Sequence, residues 1–208
     1  MTAVVAPSAN IEEQVELGAG TAVWDQVHVR GPATIGAGCI VGEKTYIGPG
    51  VRIGDRVKIN ALVYICTGVT VDDGVMISAG TIFTNDRHPR ATTPDLRALR
   101  GSGPDEHTRS TRVREGATVG AASVIGCDLE IGRFAMVGMG SVVTRSVPDF
   151  HLVVGAPAAT VGCVCRCGQP LLRVTGGTLP DRDDLTCAAC GLRYTTLGGA
   201  VRESDPPS

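Results

Sequence analysis

An aliphatic residue returns at every sixth position along most of this chain. Read in sixes from Val15, the blocks run VELGAG, TAVWDQ, VHVRGP, ATIGAG, CIVGEK, TYIGPG, VRIGDR, VKINAL, VYICTG, VTVDDG, VMISAG and TIFTND, and the pattern resumes with TRVREG, ATVGAA, SVIGCD, LEIGRF, AMVGMG and SVVTRS. The third residues are Leu17, Val23, Val29, Ile35, Val41, Ile47, Ile53, Ile59, Ile65, Val71, Ile77, Phe83, Val113, Val119, Ile125, Ile131, Val137 and Val143, all but Phe83 being Val, Ile or Leu. A helix would repeat its apolar face every ~3.6 residues and a lone strand every second residue. A period of six predicts a short strand, a tight turn and another short strand, with one aliphatic per block pointing inward. Stacked coils then align those residues in ladders. Two positions earlier stand small or β-branched residues such as Ala33, Cys39, Thr45 and Ser123, which suit a narrow prism. The position after the aliphatic is often glycine, as at Gly36, Gly48 and Gly120, with Asn60 and Asp72 in the same slot. Left-handed backbone is expected there, since these residues tolerate it best.

The repeat breaks once, from Arg87 to Ser110. Solenoids expel insertions as loops on one face, and a loop this long inside a repeat points to function. Just before it stands Phe83-Thr84-Asn85-Asp86-Arg87-His88-Pro89-Arg90, an F-T-N-D-x-x-P-R string. Upstream, Trp24 to His28 reads W-x-x-V-H, and a late run reads SVVTRSVP…VVGAPA from Ser141 to Ala158. Together these strings resemble the hexapeptide-repeat, or left-handed β-helix, family of acyltransferases, over roughly Ala9 to Gly162. Within it they resemble the branch that N-acetylates amino sugars carried on nucleotides, especially 3-amino sugars.

That resemblance implies an all-β fold, a left-handed parallel β-helix of hexapeptide repeats; handedness does not follow from the spacing. It also implies a homotrimer with active sites in the clefts between prisms, acetyl-CoA as co-substrate and a UDP- or dTDP-linked sugar as acceptor. By position Asn85 would hold the acceptor amine, while Asp86 would take the released proton or anchor the loop. Histidine is the usual general base of the wider superfamily, and His88, beside the TND string, is the first candidate. Trp24, His28, Arg30 and Arg90 are the expected substrate-binding residues. Gly138, Gly140 and Ser141 would admit the pantetheine arm close to the backbone, with Pro157 of the GAPA motif beside them. Ala159 and Thr160 follow that motif where a Lys often stands, so Arg145 is the candidate for the CoA phosphates. A strong base is not required. A thioester is already activated, and positioning can contribute up to ~7–11 kcal/mol. Backbone N–H groups on the oxyanion add about 3–4 kcal/mol per donor. The segment Asn60 to Gly68 departs from the branch: Ala61 and Leu62 replace typical polar amides, and Cys66-Thr67 replaces a Tyr-Glu-like pair that would border the acceptor.

A formal net charge of -2 argues against a broad basic surface for nucleic acid. No apolar run approaches the ~20 residues of a membrane span, and Met1 to Gln14 lacks a basic-then-apolar leader. A cytoplasmic location, with no membrane or nucleic-acid partner, is the expectation. Disulfides are then disfavoured, and the eight Cys need another role. After Pro157 the hexads fade into Cys163, Cys165 and Cys167, Gly168, and then Cys187-Ala-Ala-Cys190-Gly191. A C-x-C-G pair and a C-x-x-C-G pair suggest two knuckles around one tetrahedral zinc. Cys165, Cys167, Cys187 and Cys190 are the expected ligands, with Cys163 as a spare. Four thiolates leave no open position, so the site would be structural. It would fold a short module that caps the prism. Cys39, Cys66 and Cys127 read as packing residues. The expected organisation is a tail over 1–8, the β-helix over 9–162 with its inserted loop 87–110, and a zinc-ribbon-like four-cysteine module over 163–208. Two other readings compete: a γ-type carbonic anhydrase-like lyase, whose H-x-x-x-x-H pair is missing, and a non-catalytic β-helix scaffold, against which the TND string and loop argue.

Overall fold

A computed structural model describes residues 2–101 and 103–206, with strands, turns and irregular segments and no helix among them. The prism has three parallel faces. The first carries Val4–Val5, Ala22–Val23, Ile40–Val41, Lys58–Ile59, Met76–Ile77, Thr118–Val119, Met136–Val137 and His151–Gly155. The second carries Asn10–Ile11, His28–Val29, Tyr46–Ile47, Tyr64–Ile65, Ile82–Phe83, Val124–Ile125 and Val142–Val143. The third carries Val15–Leu17, Ala33–Ile35, Arg52–Ile53, Val69–Val71, Thr111–Val113 and Leu129–Ile131. Each coil visits the three faces in that order. Partners along one face are 18 residues apart, as in Ala22 to Ile40 and Ile40 to Lys58. Across the inserted loop the step widens to 42, from Met76 to Thr118, because the loop leaves the prism at the corner between the second and third faces.

The inward ladder is the one the period predicts. Val29, Val41, Ile47, Ile65, Ile77, Val119, Ile125 and Ile131 are fully buried, each contributing about 1.5–3 kcal/mol. The small residues two positions earlier also face inward, and their polar atoms are satisfied by the neighbouring coil. Thr21 donates to the Gly36 carbonyl, Thr45 to Asn60, Thr111 to Gly126 and Ser123 to Gly138. A buried hydroxyl therefore costs little here, because every coil offers it a corner carbonyl at the same height.

The glycine expectation needs correction. Left-handed backbone falls three positions after the inward aliphatic, at Gln26, Lys44, Arg56, Leu62, Ala122, Asp128 and Phe134 and at Gly20, Gly38, Gly50 and Gly140. The glycines one position after it serve close approach between coils. A Cβ on Gly120 would lie 2.5 Å from the Met139 nitrogen, and one on Gly42 2.6 Å from the Ala61 nitrogen. Two expected boundaries also shift. Val4–Val5 already pairs with Ala22–Val23, so the prism begins inside the segment expected to be a tail. At the other end, Ala158–Val164 pairs antiparallel with His151–Gly155, and Pro170–Arg173 pairs with it in turn. The boundary drawn at 162/163 therefore falls inside a strand. Edge hydrogen bonding, which carries no hexad signal, extends the first face there. The remaining strands, Arg182–Thr186, Arg193–Leu197 and Ala200–Glu203, form a small antiparallel sheet.

Candidate active site and thiol cluster

Outward positions on the faces differ in chemistry. The third face shows Glu16, Thr34, Arg52, Thr70, Arg112 and Glu130, whereas the second shows His28, Tyr46, Tyr64, Ile82 and Val124. Tyr46 and Tyr64 stack with centroids 5.1 Å apart, and His28 meets Tyr46 edge-on at 5.6 Å. The inserted loop folds over the edge of this aromatic column and encloses a cavity of about 480 Å³. Arg30, Tyr46, Tyr64, Cys66, Thr67, Asn85, Asp86, Arg90, Arg100 and Asp105 line it.

Asn85 sits where the chain leaves the second face. Its Nδ2 donates to the Thr67 carbonyl at 3.1 Å, and its own carbonyl accepts the Arg109 N–H at the other end of the loop. With Nδ2 committed, Oδ1 is the atom left to accept a hydrogen bond. Asp86 is a loop anchor: its Oδ1 accepts the His88 N–H at 2.7 Å, and Arg100 lies between Asp86 and Asp105 at 3.9 and 3.7 Å. Asp86 also bridges Thr108 through its backbone. His88 is exposed and lies outside the cavity lining. His28 stands on an outer face as expected, its Nε2 2.8 Å from Glu12, which also meets Arg30 at 3.3 Å. Cys66 borders the cavity with its thiol pushed up to about 11 by burial, while Ala61 and Leu62 lie at the opposite corner of the second face. Trp24 is half exposed on that opposite corner, away from the cavity.

The expected CoA residues divide between two corners. Gly138 and Gly140 occupy the corner before the second face, beside the turn that carries Pro157. The Ser141 side chain is fully buried: it donates to the Gly138 carbonyl at 2.7 Å and accepts the Gly155 N–H at 3.2 Å, so only its backbone is available there. Arg145 is exposed at the corner after the second face, the edge that Asn85 occupies.

Sequence reasoning passed over Tyr46, Tyr64, Arg100 and Asp105. The tyrosines had a signal: they follow His28 at steps of 18, visible when the hexads are read in threes. The loop residues had none, since the loop's fold is not periodic.

In the tail, the sulfurs of Cys165, Cys167, Cys187 and Cys190 all lie within 4.8 Å of one another. Cys165 and Cys190 are 3.4 Å apart and Cys167 and Cys187 3.6 Å. A tetrahedral metal with bonds of about 2.3 Å to sulfur sets its ligands roughly 3.8 Å apart, so the four fit one ion. The two knuckles are built alike. The Gly168 N–H donates to the Cys165 carbonyl and the Gly191 N–H to the Cys187 carbonyl, with both glycines at positive φ. The Cys187 thiol is lowered to about 6, chiefly by the Cys190 backbone N–H. Cys163 is buried beside Leu172, outside the cluster, its thiol raised to about 11 by burial.

No family model matches the chain. Two Bacillus cereus structures superpose with TM-scores of 0.51 at 19% identity, covering 79% of this chain and 86% and 85% of theirs. One of them is a variant of AntD, an N-acyltransferase, in complex with dTDP and coenzyme A. The fold shared with these structures is a left-handed parallel β-helix. In sequence, this β-helix chain is 42% identical over 93 residues to dTDP-3-amino-3,6-dideoxy-alpha-D-galactopyranose 3-N-acetyltransferase of Aneurinibacillus thermoaerophilus, 45% of this chain and 44% of that protein. A serine acetyltransferase of Escherichia coli K12 is 41% identical over 64 residues, 31% of this chain and 23% of its own length. The chain thus spans less than half the length of these curated relatives. Among the described residues no helix is long and apolar enough to cross a membrane.

Proposed function

We propose that the chain is an acetyl-CoA-dependent N-acetyltransferase acting on the 3-amino group of a nucleotide-linked sugar, with dTDP the first nucleotide to test. The observation that carries this reading is Asn85 on a loop-covered cavity with its Oδ1 left to accept. A hydrogen bond from the sugar amine to Oδ1 orients the nitrogen lone pair toward the thioester carbonyl. The nitrogen forms the new amide bond, the C–S bond breaks, and the CoA thiolate leaves and takes up a proton in exchange for the one the amine loses. Asp86 is already occupied by the His88 N–H and Arg100, which suits it to hold the loop. Arg30 and Arg90 offer positive charge to the diphosphate; among the described residues Arg90 makes no ion pair with a carboxylate. The Gly138–Gly140 corner and the Pro157 turn admit the pantetheine arm.

On one chain the acceptor corner and the Gly138–Gly140 corner are separated by the full width of the second face, so amine and thioester meet only if a second copy supplies one of them. A homotrimer meets that requirement, and the apolar outward residues Ile40, Tyr64 and Ile82 suit burial between copies. The thiol cluster holds one structural zinc in this reading, four thiolates closing its coordination. The eight cysteines are all unpaired, which suits the reducing cytoplasm.

The test is CoA release from acetyl-CoA with dTDP- and UDP-linked 3-amino sugars. One acceptor should turn over, and Asn85→Ala should cut kcat/KM at least 100-fold with unchanged thermal unfolding. Failure of every acceptor, together with no detectable CoA binding, would sink this reading in favour of a scaffold.

A further inference from the structure

The tail is attached to the prism at the rung nearest the Gly138–Gly140 corner. Strand Ala158–Val164 begins at the Pro157 turn and ends directly before Cys165. Along its length it pairs with the last rung, His151 opposite Cys163, Leu152 opposite Gly162 and Gly155 opposite Ala158. That rung packs against the corner: Val154 Cγ1 lies 2.5 Å from where a Cβ on Gly138 would stand, and the Gly155 N–H reaches Ser141, which holds the Gly138 carbonyl.

Further contacts tie the rung and the last corners to the tail sheet and the thiol cluster. The His151 ring is buried, with Nδ1 3.1 Å from the Thr160 hydroxyl and Nε2 2.9 Å from the Gly199 carbonyl, bridging the strand and the tail sheet. Phe134 and Phe150, at left-handed corners of successive coils, stack at 5.4 Å, and Phe150 meets Tyr194 edge-on at 5.5 Å. The Tyr194 hydroxyl then lies 3.1 Å from Cys165 Sγ and accepts the Arg166 N–H. Arg166 stacks over Phe134 at 4.2 Å and pairs with Glu203 through two bonds of 2.9 and 2.8 Å.

From this we infer that the metal bound by Cys165, Cys167, Cys187 and Cys190 positions the acyl-CoA corner. It holds the outer edge of strand Ala158–Val164 and, through it, the His151–Gly155 rung and the Pro157 turn. The residues acting here are positioning residues, since none of the four sulfurs borders the cavity. The inference rests on the acyl-CoA reading above. Without the metal, the Cys165–Gly168 knuckle that joins strand Ala158–Val164 to its edge partner Pro170–Arg173 would loosen, leaving that edge held by the strand pairing, the small apolar cluster around Leu179, Tyr194 and Val201, and the His151 and Arg166 contacts alone.

The experiment compares the full chain loaded with one zinc, stripped by chelator under reducing conditions, and reloaded. Stripping should speed amide hydrogen exchange across residues 151–164 at least tenfold and weaken CoA binding at least tenfold. dTDP affinity should change less than twofold, the far-UV β signal should persist, and zinc should restore both losses. His151→Gln, which keeps all four ligands, should retain zinc and weaken CoA binding about threefold. Unchanged exchange and unchanged CoA affinity in the stripped protein would overturn the inference while leaving the transferase reading intact, as would a protein that takes up no metal. A zinc-loaded protein that binds no CoA would instead defeat the transferase reading, and the positioning role with it.

Discussion

The prism and the tail reach stability by opposite routes. In the prism, one kind of contact is repeated: an aliphatic on an aliphatic one coil away, a corner hydroxyl on a corner carbonyl, each coil supporting only its neighbours. No single residue is decisive, and the pattern tolerates Phe83 in the ladder and a 24-residue excursion at one corner. The tail has little periodicity and a small core of Phe150, Cys163, Leu179, Tyr194 and Val201. Its order depends on a few unlike contacts converging on four sulfurs. A repeat spreads its stability over many equivalent sites, whereas a small module concentrates it in one.

That contrast can be broken first at the four thiols. With the proposed structural zinc, whose apparent ~10–16 kcal/mol of binding would act as folding free energy, Cys187→Ser should abolish the tail's calorimetric transition while leaving the prism's in place. A single shared transition, lost as a whole, would show that the two regions fold as one unit. Next comes Ile65→Ala in the ladder, expected to cost ~2–5 kcal/mol in denaturant unfolding without disturbing the thiol cluster. A smaller effect follows for Gly120→Ala, about 1–3 kcal/mol, because a methyl group there meets the Met139 backbone and not a flexible side chain. If Gly120→Ala proved neutral, close approach between coils would not explain that glycine slot.

The smallest effect sharpens the junction between the regions. Burial lowers the pKa of His151 from its ordinary 6.5, only partly offset by the Gly199 carbonyl and the Asp149 charge. The unfolded chain therefore binds more protons than the folded one below about pH 6.5, so stability is full above that value and falls as pH drops through it. His151→Gln should flatten this part of the Tm-against-pH curve. An identical slope in the variant would assign the acid sensitivity to another group.

Much of the architecture was legible because the period is a direct readout of the backbone: one inward aliphatic per six residues, from Leu17 to Val143. The thiol cluster was legible too, since two short Cys pairs each followed by glycine leave few ways to arrange four sulfurs. Asn85 stood out by its string, and the structure puts it on the cavity with Asp86, Arg30 and Arg90. Proximity in sequence says little about which way a side chain points: the structure puts His88 at the surface outside the cavity lining, Trp24 at the corner that also carries Gly138 and Gly140, and the Ser141 side chain in the core with its backbone at that same corner.

By itself, then, the amino-acid order determined the coil, its inward ladder, the site of the excursion and the four clustered cysteines, all local or periodic properties. Only the tertiary structure decided three things: the aromatic column of Tyr46 and Tyr64 beside the cavity, the assignment of left-handed turns to the third position after most of the inward aliphatics, and the junction of His151 and Tyr194 with the tail. Each depends on residues brought together across coils or across the last rung. The pairing of His151 with Gly199 spans 48 positions of chain, and no local pattern records it.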